Sequence, residues 1–157
     1  MTAEPVDVLW ELEEPEDEEL VEAVVRVSEQ LRRSVGAEDR DLCVALMDDH
    51  AIQLLNEQWR QEPKPTDVLS FPADADGPEG APIPLGDIAI SLETCARQAT
   101  AHGWSLVEEV TFLVVHSVCH LMGHDHGAPE EAAAMRAEED RLLAIVAPGQ
   151  RRPPTPY

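Results

Sequence analysis

Between Glu16 and Val35 the apolar residues Leu20, Val24, Val27, Leu31 and Val35 recur every three or four positions. That spacing places them on one face of a helix, so the stretch predicts a core-facing amphipathic helix, with Gly36 to stop it. Val6 to Trp10 predicts a short first strand, followed by an acidic turn. Leu42 to Met47 is a compact apolar run bounded by charge and reads as a buried strand. Asp48 or Asp49 can cap the next helix, which carries Ile52, Leu55 and Trp59 inward and ends near Arg60. Val68 to Phe71 and Leu85 to Ser91 read as two further strands, separated by P-A-D-A-D-G-P-E-G-A-P-I-P, whose proline and glycine content makes it loop. An exposed connector is the first reading of that loop, and a mobile flap over a cleft the second.

Ser91 can cap a helix running to about His102, which Gly103 closes. Ser105 with Glu108 three residues later is a capping-box pattern. It opens a helix that Val107, Val110, Val114 and Leu121 bury, and a last helix from Pro129 to Val146 offers Met135, Leu142, Leu143 and Val146 to the core and a very acidic outer face. These elements predict one α+β domain over residues 1–147, and the proline-rich 148–157 reads as a disordered tail. Arg151 and Arg152 lie in that tail, where two arginines are usually just solvated.

Composition narrows the field. A chain of 157 residues with 43% hydrophobic content has room for one domain with a real core. Its formal net charge of -21 disfavours non-specific adhesion to polyanions or anionic lipid. Cys43, Cys95 and Cys119 form no close pair, which suits a reducing compartment rather than a disulfide framework. The start, M-T-A-E-P, is acidic and leads into no apolar stretch, so neither a secretion signal nor a membrane span is expected, and a cytoplasmic protein is.

The candidate chemistry sits in the eleven residues H-S-V-C-H-L-M-G-H-D-H, His116 to His126. Residues four apart on a helix differ by about 40° and roughly 6 Å, so His116 and His120 leave one face together. Gly123 can take the left-handed conformation that ends a helix, letting the chain turn back and bring His126 to the pair. Three imidazoles with a fourth position open are the donor set of catalytic zinc, and such an ion lowers the pKa of a bound water or polarises a phosphoryl oxygen. The spacing equals the H-E-x-x-H-x-x-G-x-x-H pattern of metalloproteases, except that Ser117 stands where their general-base glutamate belongs. Cys119 would lie about 60° from His116 and about 100° from His120 on the helix, so it reads as core rather than as a fourth ligand. His124 reads as exposed, with spare ligand and proton shuttle as alternatives, and Asp125 either orients a ligand imidazole or caps the turn.

The segment resembles the signature H-G-x-L-H-L-x-G-Y-D-H of the YbeY family, bacterial metal-dependent endoribonucleases of ribosomal RNA maturation. His116, His120, Leu121, Gly123, Asp125 and His126 match, and Ser117, Cys119 and His124 depart without removing a ligand. Leu55 to Arg60 and Pro65 to Pro72 are similar to the family's L-N-x-x-Y-R and P-T-D-V-L-S-F-P, and Leu85-Gly86-Asp87-Ile88 to its L-G-D-I. The resemblance implies a small mixed sheet of about four strands with about five helices, and the metal site at the end of a central helix. It also implies one zinc ion on His116, His120 and His126, with Arg60 stabilising the transition state of phosphodiester cleavage and Lys64, the only lysine, assisting in substrate binding. The implied activity is single-strand-specific RNA cleavage in 16S rRNA 3′ end maturation and ribosome quality control. Small-subunit rRNA and small-subunit proteins or assembly factors would be the partners, with no DNA or membrane. Two other classes stay open: a metalloprotease whose base comes from Glu108 or Glu109, and a non-catalytic assembly factor with structural zinc.

Overall fold

The computed structural model describes residues 5–73, 80 and 83–153. Its elements run β1 (Val6–Trp10), α1 (Glu18–Ser34), β2 (Leu42–Met47), α2 (Asp49–Arg60), β3 (Val68–Pro72), β4 (Gly86–Ser91), α3 (Leu92–His102), α4 (Leu106–Leu121) and α5 (Pro129–Val146). One mixed sheet has the order β1-β2-β4-β3, in which β1, β2 and β4 are parallel and β3 is antiparallel to β4.

Helix starts follow local chemistry. Asp17, Asp48 and Ser91 each accept a hydrogen bond from the backbone N–H three residues on, and Ser105 with Glu108 forms a complete capping box. Each cap satisfies a donor that the first helical turn cannot pair within itself.

Strand alternation divides the core between the two faces of the sheet. Val44, Leu46, Ile88 and Ile90 point into the larger cluster, which α1, α4 and α5 complete, whereas Met47, Leu69 and Ala89 meet Ile52 on the α2 side. Trp59, expected to point inward, is instead 60% exposed. In the last turn of α2 the Trp59 ring meets Phe71 of β3 edge-on, with ring centroids 5.9 Å apart.

Helix α4 is the central element. Val110, Val114, Val115 and Val118 are fully buried, and the helix packs against α1, α3, α5, β3 and β4. Its C-terminal end presses on the sheet at Gly86, where φ is +146° and an added Cβ would meet Phe71 O at 2.5 Å and Leu121 Cδ2 at 2.8 Å. Only a residue without a side chain admits that approach.

Most of the loop between β3 and β4, including the part read as a flap, lies outside the described residues, as do residues 154–157 of the tail. Before that point Gln150 Nε2 donates to Glu108 O at 2.8 Å, and Arg152 Nε to Asp140 Oδ1 at 2.8 Å. Among the described residues no helix is long and apolar enough to cross a membrane.

Candidate metal centre

His116 and His120 project from the last two turns of α4, held in place by the buried residues between them. Helix α4 ends at Met122, and Gly123 follows with φ +99°, as its place in the motif predicts. The turn is pinned where Gly123 N donates to His120 O and His124 N to Cys119 O, each at 3.0 Å. His126 then returns to the pair, so that one ligand atom from each of the three histidines lies within 4.8 Å of the others.

Outer partners fix the two helical imidazoles. His120 Nδ1 donates to the His124 carbonyl at 3.0 Å, and the Glu139 carboxylate accepts from His116 Nδ1 at 2.6 Å. A proton on each Nδ1 leaves each neutral ring with a bare lone pair on Nε2. Those two Nε2 atoms are 3.2 Å apart. Two lone pairs at that distance repel unless a proton or a metal cation lies between them, and nitrogens bound to one tetrahedral zinc at 2.0–2.1 Å stand about 3.3 Å apart. The donor set therefore fits a divalent ion. Burial, then the neighbouring His116, pushes the His120 pKa down, which favours the neutral ligand form.

Glu139 is the residue that motif reading passed over. It is fully buried, comes from α5 and supplies the carboxylate of a carboxylate–histidine pair. Its signal was present: with Met135, Leu142 and Val146 it completes a 3–4 spacing, an acidic residue in the apolar register of its helix. His124 acts on His120 through its carbonyl, for which no side-chain pattern exists. Asp125 takes the capping role, accepting from His126 N at 2.8 Å.

Cys119 belongs to the core, 1% exposed, and burial followed by Glu139 and Glu138 pushes its thiol up to about 12. Ser117 is buried, and among the described residues its Oγ has no hydrogen-bond partner. Glu108 caps its own helix through Ser105 N, eight residues or about 12 Å of helical rise from His116. Glu109 is buried and accepts from His102 Nδ1 at 2.7 Å, with burial pushing its carboxyl pKa up and the His102 pair opposing. Both carboxylates are committed elsewhere, which withdraws the candidates for a protease-type base.

The three histidines form one end of a cleft of about 430 Å³ whose other walls include Arg60, Thr66, Asp67 and Ser70. Among the described residues no hydrogen bond or ion pair engages the exposed Arg60 guanidinium, so it is available to an anion in the cleft. Lys64 stands apart. Its side chain is 71% exposed on the turn after α2, 3.9 Å from Glu62 Oε2, and it is not part of the cleft wall.

The family model described as Endoribonuclease YbeY matches residues 8–147. A protein of Synechococcus sp. (strain RCC307) named Endoribonuclease YbeY is 46% identical over 123 residues, covering 76% of this chain and 77% of its own. Proteins of the same name from Symbiobacterium thermophilum and Thermus thermophilus are 44% and 41% identical, over 81% and 80% of this chain and 86% and 91% of theirs. The solution structure of TM1509 from Thermotoga maritima superposes with a TM-score of 0.60 at 24% identity, covering 93% of this chain and 99% of that one, which shows the shared fold.

Proposed function

The chain belongs to the YbeY family of metal-dependent endoribonucleases, and from that premise we propose that it is a zinc enzyme cutting single-stranded RNA in 16S rRNA 3′ end maturation and ribosome quality control. The observation that carries the zinc reading is the pair of Nε2 atoms at 3.2 Å with both Nδ1 atoms tied elsewhere, and His126 beside them. An all-imidazole donor set suits zinc, and the ion supplies Lewis acidity at the scissile phosphate.

The chain's own residues do the remainder. Glu139 and the His124 carbonyl hold the two helical imidazoles in one tautomer and orientation. Arg60, in the same cleft, grips the phosphate in bidentate fashion and stabilises the charge that develops on it. Small-subunit rRNA is the substrate in this reading, delivered by small-subunit proteins or assembly factors in the cytoplasm, where three free cysteines stay reduced.

The test is metal analysis of the wild-type chain beside a variant with His116, His120 and His126 changed to alanine, both assayed on single-stranded RNA. About one zinc per chain and RNA cleavage in the wild type, with neither in the variant, is expected. Zinc without cleavage would return the reading to a non-catalytic assembly factor, and no metal in either protein would undo it. Arg60→Ala is expected to keep its metal and lose roughly 10²- to 10³-fold in cleavage rate.

A further inference from the structure

An acidic chain that handles RNA must gather its few cations where the strand lies. The protein has 11 basic residues against 32 acidic ones, so their placement is informative. Beyond the metal cleft two more concavities open. One, of about 470 Å³, shares Asp67, Val68 and His116 with the cleft and continues past Gln98, His102 and Phe112. The other, of about 620 Å³, lies between α5 and the residues after it, and Pro153 stands in the walls of both. Neighbouring concavities thus share wall residues, and the three adjoin as a groove leading away from the histidines.

Its far end is basic. Arg136, Arg151 and Arg152 line it with Asp140 as the single acidic residue, a local balance of +2 in a chain of -21. Asp140 engages only Nε of Arg152, and among the described residues no hydrogen bond or ion pair engages Arg136 or Arg151. Gln150 holds this segment to α4 through Glu108 O, so the arginines are presented by anchored chain. The middle stretch has apolar walls, Val68, Leu113 and Phe112, edged by Gln98 and the His102–Glu109 pair, the character of surface that receives nucleobases rather than phosphates.

We propose that this groove is the track of the RNA single strand on one side of the scissile phosphate, with Arg136, Arg151 and Arg152 binding its backbone. The inference rests on the endoribonuclease reading, since the track begins at His116 and faces Arg60 across the cleft. It also answers how a chain of this charge holds RNA: four of its eleven basic residues line these adjoining concavities, while the chain as a whole is strongly acidic.

The test uses the full chain with a fluorescent 2′-O-methyl oligouridylate of about twelve nucleotides, and a second of about four, over a salt series. Each phosphate neutralised on a single strand contributes about 0.7 to the slope of log affinity against log salt. Changing Arg136, Arg151 and Arg152 together to glutamine is expected to lower that slope by about 2, a loss of roughly a hundredfold at 0.1 M salt if the lines meet at 1 M. Lysine at the same three positions restores the slope, because each phosphate contact needs a cation. The loss grows with oligonucleotide length. Arg26→Gln with Arg33→Gln on the exposed face of α1 leaves the slope unchanged, separating local contact from net charge. If the glutamine triple variant binds the longer strand with wild-type affinity and slope while RNA is still cut, the track is wrong and the endoribonuclease reading stands. If the wild-type chain neither binds nor cuts RNA, both fall.

Discussion

Replacing Glu139 with glutamine isolates the charge behind a candidate metal ligand. The carboxylate is fully buried and accepts from His116 Nδ1 at 2.6 Å, short even for a charge-assisted bond. Hydrogen bonds to a charged group contribute about 1.5–3 kcal/mol, and neutral ones about 0.5–1.5 kcal/mol. Glutamine keeps the shape and one acceptor, so the expected loss is the difference, about 1–2 kcal/mol. That difference corresponds to roughly 5- to 30-fold in metal affinity, in line with the roughly 10- to 100-fold cost of removing outer partners of metal ligands. It appears in binding because the Nδ1 proton is most acidic, and its bond to the carboxylate strongest, when Nε2 is engaged by a cation. Competition between the protein and a chromophoric chelator measures it, with circular dichroism to confirm an intact fold. Wild-type affinity in Glu139→Gln would refute the reasoning, since the buried charge would then contribute nothing to the grip.

Ser117→Ala removes a buried hydroxyl that has no partner among the described residues, so thermal unfolding should occur at the same or a higher temperature, with a gain of up to about 1 kcal/mol; a clear loss would mean the hydroxyl is satisfied. Gly86→Ala forces a Cβ into Phe71 O and Leu121 Cδ2 at a φ that side chains avoid, and urea unfolding should register a cost above about 3 kcal/mol. Asp49 is held below its usual pKa: burial alone would raise it, but hydrogen bonds from Ser91, Thr94 and Arg97 outweigh burial. A depressed carboxylate contributes stability above its unfolded pKa of about 3.9 and loses it as pH falls through the folded value. The stability gap between wild type and Asp49→Asn should therefore be constant near neutrality and narrow below about pH 4, and a gap independent of pH would count against the network.

Much of this molecule could be read from local chemistry. Asp48, Ser91 and Ser105 announce helix starts because a short polar side chain satisfies donors that nothing else nearby can reach. The histidine triad was equally plain, since 3.6 residues per turn makes an i, i+4 pair a geometric statement. What resisted reading depends on packing between distant segments. Trp59 fits the apolar stripe of α2, yet the helix overhangs the sheet there and leaves the ring exposed. Glu139 reaches His116 across 23 residues of sequence, and only its place in an apolar register marked it. Arg60 and Lys64 look alike as cations near one motif, but only Arg60 lines the cleft.

The three candidate ligands do not share one mechanical footing. Two are set in the buried end of α4, whose fold depends on valines and leucines rather than on the ion, while His126 is exposed on the turn beyond Gly123. Such a two-plus-one arrangement separates holding an ion from folding the domain. The backbone that carries the helical pair cannot move without unfolding the core, whereas the turn that carries His126 is held by three hydrogen bonds to the end of α4. Substitutions in this turn should therefore alter metal affinity before they alter whether the domain folds.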